Sequence, residues 1–330
     1  MNAGSIDCHA HLMPAALGAA LRARSAPPCI QPGADGQERL VMPIGTLGFH
    51  DGYGDIVQRL ALMDAHGVQR QLLSLPGLFG VDSLGAAEAT PLLTRFNDDL
   101  AALCRAEPAR FSGLAALPLM DMRAALAEFE RARADLGLVG AILPVDAFLT
   151  VARAEGMRPL FALAQRLGAH FFIHPGRGPG SGPVPPAPAD HELARRALAV
   201  QAEVGEAMVT LLLSDFLQDY PDVTVQVANL GGTFPAVIER MDHMAWLRTP
   251  GAALPSSRLG RVWVDCASLG SQALEQAVAV FGADRVLMGT DCPIFDTGRT
   301  RAAIGAARLD DAQRHAILQG NARELLARFD

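Results

Sequence analysis

Two histidines, His9 and His11, close the first apolar run of the chain in Ile6-Asp7-Cys8-His9-Ala10-His11. Successive side chains of an extended strand alternate faces, so both imidazoles point the same way. Imidazole nitrogen is a common ligand of zinc and similar ions, and a catalytic site needs several such ligands plus an open position. The pair alone is weak evidence, because nine histidines in 330 residues give roughly 0.25 chance H-x-H pairs per chain. Its place at the end of a strand adds to it. His174 closes another apolar run, Phe171-Phe172-Ile173-His174, and Asp291 closes a third, Val286-Leu287-Met288-Gly289-Thr290-Asp291. A carboxylate leaving such a run is costly unless a cation or hydrogen bonds compensate it. Taken singly, His174 could be a hydrogen-bonded core histidine and Asp291 a helix cap. Together, three nitrogens and one carboxylate suit a single divalent ion, zinc in the first place and manganese as the alternative. By the same alternation Asp7 falls on the face of His9 and His11, where it could orient a ligand.

Such a set needs elements that carry distant segments to one axis. Periodicity gives eight strand candidates, at 5–12, 69–75, 111–119, 139–145, 170–174, 223–230, 261–267 and 286–291, with helical patterns such as 55–66, 122–136, 158–167, 235–246 and 272–281 between them. Strand and helix alternating eight times predict an α/β fold, a closed (β/α)8 TIM barrel, above an open sheet. The candidate ligands then sit at the carboxyl ends of strands one, five and eight, the face where barrel enzymes keep their active sites. Two segments interrupt the repeat. Residues 23–54, rich in Gly and Pro, read as a lid insertion after the first strand, and residues 177–189, with Pro179, Pro183, Pro185, Pro186 and Pro188, as an irregular active-site loop after the fifth. Residues 310–330 read as a closing helix, and the whole chain, 1–330, as one barrel domain.

Half the residues are hydrophobic and 19% are charged, enough to bury a large core. The sequence contains no lysine, so a carbamylated-lysine metal bridge and Schiff-base chemistry are excluded. A net charge of −7 argues against nucleic-acid binding. Five scattered cysteines without a C-x-x-C pair read as reduced thiols, and neither a leader pattern in residues 1–7 nor a membrane-length apolar run is seen. The expectation is a soluble cytoplasmic protein that does not engage a membrane.

Beyond the four candidate ligands, the chain carries Met63-Asp64-Ala65-His66-Gly67-Val68, Phe96-Asn97-Asp98-Asp99-Leu100, Phe111-Ser112-Gly113-Leu114-Ala115-Ala116-Leu117-Pro118-Leu119, Gly231-Gly232-Thr233-Phe234-Pro235 and Gly320-Asn321-Ala322-Arg323. With these it resembles, over nearly its whole length, the decarboxylase-like branch of the amidohydrolase superfamily, the group of the aminocarboxymuconate semialdehyde and resorcylate decarboxylases. The resemblance implies a barrel with one metal ion, a small carboxylic acid as substrate, and a homodimer. In that family a histidine ends the sixth strand and handles a proton. Here Val227-Ala228-Asn229-Leu230 places Asn229 at that position, and an amide cannot take up a proton near neutral pH.

Losing a positioned base typically costs about 10²- to 10⁴-fold in rate. Replacements could come from His50 or His191 in the two long loops, whereas His243 and His170 read as packing or structural residues. Arg240 matches a family arginine that binds the substrate carboxylate, often across a dimer interface; an exposed arginine paired with Glu239 or Asp242 is the alternative. Arg177 has a similar claim, since a guanidinium can grip a carboxylate with two hydrogen bonds. Three functions follow. The first is a decarboxylase or related carbon–carbon lyase acting on a small aromatic or unsaturated acid, with Asp291 moving the proton and Asn229 positioning substrate or water. The second is a metal-dependent hydrolase of an ester, lactone or amide. The third is a binding protein impaired by Asn229.

Overall fold

Short runs of β-branched and aromatic residues alternate with amphipathic stretches along the chain, and in the computed structural model, which describes residues 4–182 and 193–329, they become strands and helices in strict succession. The eight barrel strands are Ser5–His11, Val68–Ser74, Phe111–Ala115, Gly140–Pro144, His170–His174, Thr224–Val227, Trp263–Asp265 and Val286–Leu287, parallel and ordered as in the sequence. The first and eighth meet through Cys8 N–H donating to the Met288 carbonyl (2.8 Å), His11 N–H to the Cys292 carbonyl (2.7 Å), and an Ala10–Cys292 bridge. The ring is thereby closed, as the strand–helix repeat predicts.

Predicted helices appear with shifts of one or two residues at their ends. Ile56–Ala65 is capped by the Asp55 side chain, which accepts from Gln58 N–H, and Met122–Ala134 by Asp121, which accepts from Arg123 and Ala124 N–H. Arg158–Leu167 stops at Gly168, whose φ of 60° lies in the left-handed region. The predicted strand at 286–291 pairs only over Val286–Leu287, because residues after it turn toward the first strand: Thr290 and Asp291 N–H both donate to the His9 carbonyl.

Residues 23–54, expected as an irregular lid, instead hold a three-stranded antiparallel sheet, Cys29–Pro32, Glu38–Met42 and Gly45–Gly48. Cys29, Ile30, Leu40 and Met42 are buried under it, so the insertion is folded onto the barrel as a packed element. The loop 177–189 is described only to residue 182; the rest of it, with His191, lies outside the described residues.

Inside the barrel, Ile6, Cys8, Leu72, Leu114, Phe172 and Leu287 form one cluster, closed from below by Ala322 and Leu325 of the helix Asn321–Leu326. That helix, with Asp311–His315 before it, realises the expected closing segment. Outside the barrel, Phe129, Phe148, Phe161, Phe171 and Phe216 are fully buried against the helices. Burying each such ring contributes about 1.5–3 kcal/mol, which fixes the fifth strand and the His174 it ends on. Among the described residues no helix is long and apolar enough to cross a membrane.

Candidate metal centre

Closure of the barrel brings His9, His11, His174 and Asp291 together, with one potential ligand atom of each lying within 4.8 Å of the others. All four are buried. The imidazole rings stand edge to face, with centroids 4.8–5.0 Å apart. Asp291 Oδ1 lies 3.0 Å from His11 Nε2 and 3.6 Å from His9 Nε2.

Each imidazole is held by its far nitrogen. His9 Nδ1 bonds Asp265 Oδ1 (2.9 Å), His11 Nδ1 bonds Ser74 Oγ (3.1 Å), and His174 Nδ1 donates to the Pro175 carbonyl (2.8 Å). Anchoring at Nδ1 leaves the Nε2 lone pairs facing the centre, the arrangement that metal-ligating histidines use. His9 Nε2, His11 Nε2 and Asp291 Oδ1 are buried without hydrogen-bond partners. Orphaned polar atoms of this kind are rare in folded proteins, and a cation between them satisfies all three. The donor set therefore fits one divalent ion.

Burial and neighbouring charges set the four side chains apart. Burial works against a charged His9, but the carboxylates of Asp265 and Asp291 outweigh it and hold the ring up to about 9. Burial, with His9 beside them, pushes His11 and His174 well below the usual imidazole range. Burial also raises Asp291, although His9 and His174 oppose it.

Asp265, which sequence reasoning passed over, organises the surroundings. Fully buried, it accepts from His9, from Gln226 Nε2 (2.8 Å), and from Ala267 N–H (3.1 Å). Its signal was available, since Val262-Trp263-Val264-Asp265 is another apolar run ending on a carboxylate at the catalytic rim. The pairing of the first strand with the second shifts register between Asp7 and Ala10. Asp7 accepts from the His9 and Thr290 backbone N–H groups, the Thr290 hydroxyl and Gln71, so its support of the ligands runs through the backbone. Buried Arg59 adds a hydrogen bond to the His11 carbonyl.

Above the ligands lies a cavity of about 140 Å³, bordered by His174, Asn229 and Asp291. Asn229 is buried, adopts φ 56°, and leaves Oδ1 without a partner. Met42, Ile44 and Leu47 of the insertion form part of the wall. Neither predicted arginine borders this cavity. Arg240 is exposed on the helix Phe234–Arg248, and Arg177 is tied to the Gly182 carbonyl and lies 3.7 Å from Asp146. His50 is exposed and faces a neighbouring recess with Arg59 and Cys292. His243 is also exposed, beside Trp246. His170, at the other end of its strand, is buried and bonded to Thr224 and Gln226, and burial lowers its pKa to about 4, as befits a structural residue.

Relatives share both sequence and fold. The chain is 29% identical to the gamma-resorcylate decarboxylase of Rhodococcus jostii over 286 residues, covering 81% of this chain and 86% of that protein. It is 27% identical to the 2-amino-3-carboxymuconate-6-semialdehyde decarboxylase of Dictyostelium discoideum over 277 residues, covering 81% and 75%. A crystal structure of 2,6-dihydroxybenzoate decarboxylase complexed with 2,6-dihydroxybenzoate superposes with a TM-score of 0.72 at 25% identity, over 98% of this chain and 99% of the other. A dihydroxybenzoic acid decarboxylase from Polaromonas, solved with bound manganese, shares the fold with a TM-score of 0.70 at 23% identity, over 99% and 97%. The amidohydrolase family profile matches residues 6–328, and the chain, with its closed barrel and His/His/His/Asp centre, belongs to that family.

Proposed function

We propose that this protein is a metal-dependent decarboxylase of a small aromatic carboxylic acid. The observation that carries the reading is the convergence of three Nδ1-anchored imidazoles and Asp291 beneath a cavity sized for one ring. Decarboxylases among the relatives on both sequence and structure support it. A divalent ion held by His9, His11, His174 and Asp291 supplies Lewis acidity toward a carboxylate and a neighbouring oxygen. The reaction breaks the bond between ring and carboxyl carbon, leaves the electron pair on the ring carbon, and requires a proton there. Asp291 is the residue placed to deliver it. Asn229 orients the substrate or a water by hydrogen bonding without exchanging a proton.

The ion is zinc by the chemistry of the donors, with manganese the alternative suggested by the Polaromonas structure. Elemental analysis of the purified protein, followed by reloading with each ion, separates them. The test of the reaction is carbon dioxide release from hydroxybenzoic acids by the loaded protein, abolished in Asp291→Asn. Release of an acid from esters or lactones, with no carbon dioxide from any aromatic acid, would favour hydrolysis instead; binding without any turnover would leave a ligand-binding protein.

The same reading makes the protein a cytoplasmic homodimer. Trp246 and Leu247, 57% and 60% exposed on the helix that bears Arg240, offer an apolar surface for a second copy. Arg240 then binds the carboxylate of a substrate held by the other copy, a role Arg177 cannot share while tied to Gly182 and Asp146. A monomer mass by light scattering would remove Arg240 from the site.

A further inference from the structure

The helix Ile56–Ala65 lies outside the barrel and buries only two side chains, Arg59 and Met63, one turn apart. Arg59 is 3% exposed, and a guanidinium keeps its charge in a protein. An aliphatic side chain there would pack as Met63 does, and replacing buried charges by apolar groups of like volume is often neutral or stabilising. Stability alone therefore does not call for an arginine. What the guanidinium supplies is seen in its hydrogen bonds: Nη2 donates to the His11 carbonyl (2.5 Å) and Nη1 to Gln71 Oε1 (3.1 Å). Gln71 passes the second bond on, its Nε2 donating to Asp7 Oδ2 (3.0 Å). Asp7 in turn accepts from the His9 N–H and from the N–H and hydroxyl of Thr290, the residue before Asp291. One planar group thus reaches the main chain of His11 directly, and the segments carrying His9 and Asp291 through Gln71 and Asp7.

We propose that Arg59 is a positioning residue of the metal centre, whose two-armed guanidinium, reaching in from outside the barrel, holds the ligand-bearing segments at the spacing one ion requires. Among the described residues no carboxylate makes an ion pair with Arg59, and the charge of Asp7 acts on it across Gln71. The planar fork matters beyond its charge, because its donors diverge at a fixed angle that an ammonium on a shorter stem does not reproduce. Arg59 also borders a recess of about 440 Å³, lined on its outer side by the exposed His50 and Gln58. A small cation entering that recess can take the place of a truncated side chain. The inference rests on the metal centre and not on the reaction assigned to it.

Two readouts test it without turnover: metal affinity by competition with a chromophoric chelator, and ligand geometry by the visible absorption of the cobalt(II)-loaded protein. Arg59→Lys keeps the charge and removes the fork. It is expected to bind zinc or manganese at least about tenfold more weakly than the wild type, with an altered cobalt spectrum. Affinity within about threefold and an unchanged spectrum would overturn the inference and leave Arg59 a source of charge alone. Arg59→Ala opens the slot to the recess, and millimolar guanidinium is expected to recover at least about threefold in affinity, whereas methylammonium, a charge without the fork, recovers none. Equal recovery by both cations, or by neither, in a variant that circular dichroism shows to be folded would count against the positioning role. Should neither variant fold, Gln71→Met cuts the arm to Asp7 at nearly constant volume and is expected to weaken binding at least about threefold; unchanged affinity would likewise overturn the role. A wild-type protein that binds no zinc, manganese or cobalt would overturn the metal centre itself, whereas tight binding indifferent to these substitutions would reject only the part assigned to Arg59.

Discussion

Replacing Asp265 by Asn is the sharpest test of how the centre is held. The substitution keeps size and shape but removes a charge that accepts hydrogen bonds from His9, Gln226 and Ala267. The amide cannot satisfy them all. Gln226 is fixed as a donor on this side, because its Nε2 also donates to the Cys8 carbonyl (3.1 Å) while its Oε1 faces His170. With the new Nδ2 toward Gln226, two donors confront each other. With Nδ2 toward His9, the imidazole must accept at Nδ1 and carry its proton on Nε2, the atom that faces the metal position. Hydrogen bonds to a charged group contribute about 1.5–3 kcal/mol each, and loss of a carboxylate behind a ligating histidine typically lowers metal affinity about 10- to 100-fold. That corresponds to about 1.4–2.7 kcal/mol. Competition with a chromophoric chelator at pH 7.5 reads the affinity, and circular dichroism confirms that the variant is folded. A folded Asp265→Asn protein that binds manganese or zinc within about threefold of the wild type would refute the claim that Asp265 sets the His9 tautomer.

Metal removal should destabilise the whole barrel, since the ligands come from strands one, five and eight: saturating metal at about 1,000 times Kd adds ~4 kcal/mol, expected as a rise in Tm of about 5–10 °C over the chelated protein; an unchanged Tm would show that the four side chains bind nothing. Asn229→Ala should lower kcat/KM about tenfold, the worth of one neutral hydrogen bond, and Asn229→His should add a limb to the pH profile in the imidazole range, near pH 6–7; identical profiles would place residue 229 off the proton route. Asp82 gives a pH test away from the site. Burial raises its carboxyl from 3.8 to about 7 against bonds from the Asp82 and Ser83 N–H groups, so the stability of the protonated form is complete below pH ~4, is lost as the pH rises toward 7, and levels off above it. Asp82→Asn should therefore raise stability by ~2–4 kcal/mol at pH 8.5 and by little near pH 4, read as denaturant midpoints at the two values; an equal gain at both would deny that Asp82 titrates on folding.

The ligands were legible because each closes an apolar run, a position where a polar side chain demands a reason. His174 sits on the last residue of its strand as predicted, and the closed barrel followed from the alternation of patterns. Asp265 has the same signature, yet a carboxylate in a run of only three strand residues does not stand out until His9 is seen against it. Asp7 supports His9 through the backbone N–H, a contact that strand alternation does not reveal. The insertion was read as irregular on its Gly and Pro content, although Ile30, Leu40 and Met42 recur at the spacing of a half-buried strand. Arg177 looked free because sequence cannot show that Asp146, thirty-one residues upstream, would lie beside it.

Backbone strain shows where the chain has kept side chains at some cost. Among the described residues only four other than glycine have positive φ: Asn229, Leu230, Ser268 and Asp291. Each such residue costs of order 1–3 kcal/mol relative to relaxed backbone, and glycine would avoid most of that. Three of the four, Asn229, Ser268 and Asp291, border the cavity above the ligands. A barrel selected for stability alone would place glycine at these turns, as it does at Gly231 and Gly232 next to them. Retaining an amide, a hydroxyl and a carboxylate there instead makes sense if their polar atoms meet a ligand. Asn229 Oδ1 and Asp291 Oδ1 are both buried and have no hydrogen-bond partner within the protein. The strained positions thus support, on grounds independent of any relative, the proposal that the amide of Asn229 at the end of the sixth strand acts as a positioning group.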